Sequence, residues 1–323
     1  MRRRAWVGLL AALSLTGLDA VHAQASDSAK LRVGTPALVN FTFLPLYVGQ
    51  QKGFFTKYGL DVEIVGFQGG SRLNQGITAG DVDIAIMSGT DMAFTAKGVP
   101  DVAVAATAGP PLFLTVIVPY DSPAMGPDDL KGRKVAVTTD GSFTAWLMRR
   151  LMDEKHWGPN AMTLVAVGAS PDATIAALKT REVDAAVQAP ALAFQLEELK
   201  VGRMLFPVSE IVQDFLANAI FATNRTLQER PTDVRRFIKG WFDTIAFMRS
   251  NKVETVTISR SLNHYDAAVA NREYDTVMPM FLATGKFDPR ALRALEKAFV
   301  EMGMFKQPPD MSKLYTEAYL PQD

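Results

Sequence analysis

From Lys30 onward, short apolar runs alternate with longer amphipathic stretches. Residues 31–34 read as a strand. Residues 44–58 read as a helix, with Leu44, Tyr47, Val48, Gln51, Phe54 and Phe55 three and four positions apart and Gly59 placed to stop it. Residues 62–67 form the next strand, 71–79 a short helix closed by Gly80, and 82–87 a third strand. Strands alternating with helices predict a parallel sheet with helices on its faces.

The same unit recurs about a hundred positions later. Residues 78–87 align without gaps on residues 179–188 and put Asp83 on Asp184, while residues 31–34 correspond to 133–136. Two α/β lobes with a crevice between them follow. In open parallel sheets ligands bind beyond the carboxyl ends of the strands. That rule selects residues 35–43, 68–71 and 88–90 in lobe one, and 138–143, 168–172 and 188–190 in lobe two. These loops are rich in Ser, Thr, Asn, Gln and Gly, which suit a small polar ligand. After one more strand at 216–222, residues 231–250, 254–263, 266–283 and 288–302 read as helices. With no strands of their own to cover, they are expected on lobe one. The expected division is 31–118 plus 220–323 for lobe one and 119–219 for lobe two. The chain would cross near Val118, Pro119 and Tyr120 and again near Leu216 and Ala217, a two-crossing hinge able to close on a ligand.

The first residues change the compartment. Arg2, Arg3 and Arg4 precede a short apolar run, and Val21, His22 and Ala23 offer a small-x-small cleavage site, so residues 1–23 read as a secretory signal peptide. The run is shorter than the ~20 residues that a membrane span needs. The mature chain is expected in the periplasm, as a monomer without membrane insertion. Removing residues 1–23 takes away three Arg and Asp19, leaving 31 basic and 33 acidic residues, a formal charge of −2. Such a balance offers no electrostatic footprint for nucleic acid. With no Cys in 323 residues, disulfides, thiolate metal sites and thiol nucleophiles are excluded.

Residues 46–65, which include Gly49, Lys52, Gly53, Phe54, Phe55, Tyr58, Gly59 and Leu60, resemble the opening of the ABC-transporter substrate-binding proteins for sulfonates, taurine, nitrate and thiamine-type pyrimidines, the NMT1/THI5-like group. Residues 130–137 resemble that family's second-lobe opening, and 79–84 and 181–185 complete the pattern. The resemblance spans the mature chain. It implies the type II periplasmic binding fold, with extra C-terminal helices on lobe one. It also implies closure on a ligand and delivery to an inner-membrane ABC permease and its ATPase, with no cofactor.

Its ligand loops coincide with those chosen by the strand-end rule. The candidate ligand-binding residues are Asn40, Phe41, Gln68, Gly70, Ser71, Ser88, Gly89 and Thr90 in lobe one. In lobe two they are Thr139, Gly141, Ser142, Phe143 and Gln188, with Asp214 in the adjacent return segment. Helix starts at Ser71 and Ser142 can hold an anion through free backbone N–H groups, or the two serines can act only as N-caps. Sulfonate and taurine members tend to carry an aromatic and an acidic residue before the proline equivalent to Pro190. Here Gln188 and Ala189 stand there, which weakens a taurine assignment. Phe41, Phe43, Phe143 and Phe215 offer ring faces for an aromatic ligand or, equally, core packing.

No nucleophile elbow and no phosphate-binding loop occurs. Two separated mature-chain His residues, His156 and His264, make no metal site. The ligand is therefore expected to be a small, anionic organic solute: a sulfonate, an aromatic carboxylate or a pyrimidine-like molecule. The rivals are a sensor that feeds a receptor and an enzyme similar to the thiamine-pyrimidine synthases. The latter use an iron site and a cysteine-rich segment that this chain lacks.

Overall fold

The computed structural model describes residues 29–321 except 39, 68, 141 and 169. The expected signal peptide and the candidates Gln68 and Gly141 lie outside the described residues. Lobe one begins with β1 (Ala29–Thr35), α1 (Leu44–Gln51), β2 (Leu60–Gly66), α2 (Gly70–Ala79), β3 (Ile84–Ser88), α3 (Met92–Ala96) and β4 (Asp101–Ala108). Lobe two comprises β5 (Thr115–Pro119), β6 (Lys134–Val137), α4 (Phe143–Glu154), β7 (Thr163–Ala166), α5 (Pro171–Lys179), β8 (Ala185–Gln188), α6 (Pro190–Glu198) and β9 (Gly202–Pro207). The chain returns through β10 (Asn218–Thr223) and ends in α7 (Asn224–Glu229), α8 (Pro231–Ser250), α9 (Lys252–Asn263), α10 (Ala267–Val277) and α11 (Pro289–Glu301).

Two five-stranded sheets result, ordered β2-β1-β3-β10-β4 and β7-β6-β8-β5-β9. They have one topology, so the repeat read from the sequence is a repeat of architecture. Neither sheet is wholly parallel, contrary to the alternation argument. The strand that enters each sheet after a crossing runs antiparallel: β10 against β3 and β4, and β5 against β8 and β9. A strand arriving from the other lobe has no crossover helix to reverse it, so it runs against its neighbours. The chain changes sheet between Ala108 and Thr115, ahead of Val118 and Pro119, which already pair with β9. The second change falls between β9 and β10, where Leu216 and Ala217 lie.

The Asp83–Asp184 correspondence has a physical basis. Asp83 donates its N–H to the Arg32 carbonyl at 2.9 Å and accepts the Arg32 N–H on Oδ2 at 2.9 Å. Asp184 does the same with Lys134, at 2.8 and 2.9 Å. In each lobe one carboxylate ties the start of the third strand to the first strand. Asp83 also faces the guanidiniums of Arg32 and Arg225 at 3.3 Å and Arg230 at 3.9 Å. Burial works to raise its pKa, but the Arg32 N–H and the Arg32 and Arg230 charges outweigh it and hold the carboxyl below its ordinary value.

The helix expected over 44–58 stops at Gln51. Gly53 takes φ +74°, and the Phe54 N–H closes on the Gly49 carbonyl, a left-handed stop seven residues early. α8 matches the expected bounds, and its Phe237 stacks on Phe55 at 5.2 Å beside the fully buried Trp241. The expected helix 266–283 ends at Val277, before a 3-10 turn containing Pro279. The late helices do pack on lobe one, but two of them also reach lobe two. α10 lays Ala270, Tyr274 and Val277 on the lobe-one core, and Val269 on Ala191 and Phe194 of α6. At 100° per residue Glu273 falls between those two faces. It is 4% exposed and its Oε2 has no partner among the described residues.

Replacing Asp83 with Ala is expected to cost about 2 kcal/mol at pH 7, since it removes the carboxylate that accepts the Arg32 N–H and faces three partly exposed guanidiniums. The same change at the more open Asp184 is expected to cost about 1 kcal/mol. Urea denaturation of both variants measures the difference. Burial pushes the Glu273 carboxyl up to about 7 from 4.5. A raised acid binds its proton more tightly when folded, so its contribution is full below pH ~4.5 and is lost as pH rises through ~7. Glu273→Gln should therefore flatten the fall in stability between pH 5 and 8. At pH 8 it should exceed the parent by roughly 2–3 kcal/mol, while the two converge near pH 4.5.

Candidate functional site

The carboxyl ends of β1, β2 and β3 carry the lobe-one loops, and those of β6, β7 and β8 the lobe-two loops. The segments joining the lobes run past the end of β3: the Gly89 N–H donates to the Ala217 carbonyl, and the Ala217 N–H to the Ala108 carbonyl at 3.0 Å. Gly89 is required there, since a Cβ would lie 2.3 Å from the Leu216 carbonyl oxygen. The loops therefore converge beside the hinge.

In lobe one, Asn40 caps a 3-10 turn by accepting the Thr42 N–H at 2.8 Å and is half-buried. Phe41 is 2% exposed, with its edge on Tyr274 and its ring near Phe281, and so belongs to the core rather than the cleft wall. Phe43 is buried as well. Gly69 occupies the N-cap of α2, Gly70 opens the helix, and Ser71 is exposed and is not a cap. Ser88 caps the turn after β3, accepting the Thr90 hydroxyl at 3.0 Å.

Asp91 lies directly behind α2, where a Cβ on Gly70 would come 3.0 Å from its Oδ1. The Asn74 amide donates both to Asp91 Oδ1 and to the Gly70 carbonyl, each at 2.9 Å. Burial raises the Asp91 carboxyl to about 6, while Asn74 and the Ser88 N–H work against the rise. Asp101 is pushed to about 7 by burial and, further, by the Asp91 charge, with the Thr95 hydroxyl opposing. The first turn of α2 thus carries a carboxylate at its back, which offsets its value as an anion hole.

In lobe two, Ser142 caps α4 by accepting the Ala145 N–H, and its hydroxyl donates to the Thr139 carbonyl at 2.7 Å. Thr138 and Thr144 join it in a cluster with hydroxyl spacings of 2.9 and 3.0 Å. Arg149 holds Asp140 of the same loop. Phe143 is half-exposed and stacks on Phe215 at 5.3 Å and Trp146 at 5.6 Å. Phe215 is buried, which leaves Phe143, of the four rings considered, as the one that is partly exposed. Gln188 is half-buried and donates to the Thr174 hydroxyl at 2.9 Å. Asp214 is exposed and faces Arg290 of α11 at 3.6 Å, on the α4–α11 flank rather than among the converging loops.

Sequence reasoning missed Asn218, which pairs with Ser88 and Ala108 where the hinge meets the loops and whose buried Oδ1 has no partner among the described residues. It also missed Asn74 and Asp91. No pattern marks them, because they reach the site by strand pairing and by helix packing. Among the described residues no group of His, Cys, Asp and Glu is placed to hold a metal ion.

The two serines should separate in a mutational test. Ser142→Ala removes a cap and is expected to cost about 1 kcal/mol, whereas Ser71→Trp should leave the melting temperature of the free protein nearly unchanged. Differential scanning calorimetry of the two variants checks this.

The fold has many solved counterparts. The periplasmic aliphatic sulphonate binding protein SsuA of Escherichia coli superposes with a TM-score of 0.75 at 16% identity, covering 89% of this chain and 92% of its own. The desulfurization enzyme DszB superposes with a TM-score of 0.66 at 14% identity, covering 90% of this chain and 97% of its own, so the architecture also hosts an enzyme. A Brucella abortus protein named provisionally as a binding protein is 24% identical over 329 residues, 99% of each chain. Residues 40–255 match the family model described as NMT1/THI5 like. With that match covering about two thirds of the chain, the chain belongs to the NMT1/THI5-like family.

Proposed function

We propose that this protein is the solute-binding component of an ABC importer, working in the periplasm as a monomer. It takes one small anionic organic molecule between its lobes and presents it to an inner-membrane permease and its ATPase. The observation that carries this reading is the pair of like sheets whose strand ends bear polar loops on either side of a two-segment hinge. Among the described residues no helix is long and apolar enough to cross a membrane. Lobe two supplies the better anion seat at α4, which opens with Ser142 and its hydroxyl cluster, whereas α5 and α6 open with proline and so lack one first-turn N–H donor each. Lobe one opposes it with Asp91 behind Gly70. The anionic group therefore rests on lobe two, and an aromatic or otherwise flat body can lie on Phe143. Sulfonates, aromatic carboxylates and pyrimidine-like acids meet both demands.

Transport is favoured over catalysis because the loops offer hydroxyls, amides and one ring. The chain also has no cysteine to serve as a nucleophile. A thermal-shift screen of sulfonates, aromatic carboxylates and pyrimidines tests the proposal. A true ligand at one hundred times its dissociation constant should add about 2.7 kcal/mol of stability. A broad library in which no compound stabilises well-folded protein would sink it.

A further inference from the structure

Lobe two is gripped by lobe one at a place apart from the hinge. Helix α11 is fixed to lobe one at both ends through the edge strand β4. Ahead of it, Leu282 N–H donates to the Thr107 carbonyl and Ala106 N–H to the Gly285 carbonyl, at 2.9 and 2.8 Å. Behind it, Ala103 N–H donates to the Leu314 carbonyl and Thr316 N–H to the Ala103 carbonyl, at 3.1 and 2.8 Å. Leu295 rests over Gly89 in lobe one. Yet Glu301, the last residue of α11, reaches across to α4. Its Oε2 accepts the Trp146 indole N–H at 3.1 Å, and its Oε1 accepts Arg150 at 2.9 Å. Trp146 and Arg150 are one turn apart on the same face of α4. Trp146 also lies one turn below Ser142, at the cleft end of that helix, and stacks on Phe143.

On the opposite face of the lobe-two sheet, Arg272 of α10 donates to Glu197 of α6 at 2.6 Å, with its guanidinium 4.0 Å over the Phe194 ring. α4 packs on Val135 and Val137, and α6 on Ala136 and Ala186, so the two grips lie on opposite sides of the sheet. Rotation of lobe two about the hinge cannot preserve both. The α4 grip is the one built to part. Both ion pairs are open to water, Glu301 at 23% and Glu197 at 25% side-chain exposure, but the α6 grip also stacks Arg272 on the Phe194 ring and seats Val269 on Ala191 and Phe194. A crevice of about 360 Å³ between Trp146, Arg150, Val212, Asp214 and Lys297 lets water reach the pair. Charge-assisted bonds at such a wet edge can exchange for water as the surfaces separate.

We propose that Glu301 is a latch between the lobes: its carboxylate holds α4 against α11, and its release accompanies opening of the cleft. The proposal rests on the two-lobed fold and holds whatever the ligand is.

The test uses the mature protein in a Trp157→Phe background, with Trp241 fully buried in lobe one as a constant reference. Small-angle scattering and tryptophan emission are recorded for the parent, Glu301→Ala, Arg150→Met and Glu154→Gln. Glu154 binds the same Arg150, at 3.0 Å, but within α4. Glu301→Ala is expected to raise the radius of gyration and shift Trp146 emission to the red. Arg150→Met, which removes one of the two bonds, should do so to a smaller degree, and Glu154→Gln should match the parent. Arg150→Met carries the test should Glu301→Ala not fold. Parental scattering and emission in both variants, even with a lower melting temperature, would overturn the latch and make Glu301 a static packing contact. An equal change in Glu154→Gln would overturn it too.

Discussion

In each lobe, one aspartate carboxylate accepts the backbone N–H of the residue immediately before its lobe's buried strand run, while its own N–H returns the bond. That reciprocal pair sets the register between the first and third parallel strands. A parallel sheet has no hairpin to fix register, and a slip of one residue would turn every side chain to the wrong face. Once β1 and β3 are aligned, their carboxyl ends lie at one level and the loops they carry point the same way. Duplicating the device in β6 and β8 gives lobe two the same edge of loops. The candidate site between the lobes is a consequence of that alignment.

The remaining architecture manages what two such sheets leave open. Each sheet receives an antiparallel strand from the crossing chain, which binds the lobes through two short segments and confines their motion to a hinge. The C-terminal helices add a second restraint. α10 and α11 are anchored on lobe one and touch lobe two on opposite faces of its sheet. The apolar cluster that contains Leu73 and Leu295 also contains Trp146 and Phe215, so core packing runs unbroken across the seam. Polar bonds at its margin, from Glu301 and Arg272, sit where water can compete for them.

The electrostatics of the site are asymmetric, although the topology is not. Asp91 sits behind the first turn of α2 in lobe one, whereas the described hydrogen bonds at the first turn of α4 in lobe two come from hydroxyls. A helix start backed by a carboxylate attracts anions less than one backed by neutral hydroxyls.

The sequence by itself determined the strand–helix order of each repeat, the duplicated plan and the loops at issue, because periodicity, glycine stops and proline starts act over a few residues. Gly80 and Pro231 stand where those local rules put them, whereas Gly59 closes only a 3-10 turn. It could not show that Phe41 and Phe215 are core, since an aromatic ring looks the same in a wall and in an interior. Nor could it separate Ser142, a true cap, from Ser71, which follows a glycine cap. The antiparallel crossing strands, Asn218 at the hinge, Asp91 behind Gly70 and the reach of Glu301 to α4 were decided only in the tertiary structure. Each joins residues far apart in the chain, and the strength of such a contact is set by burial and direction, which no local pattern encodes.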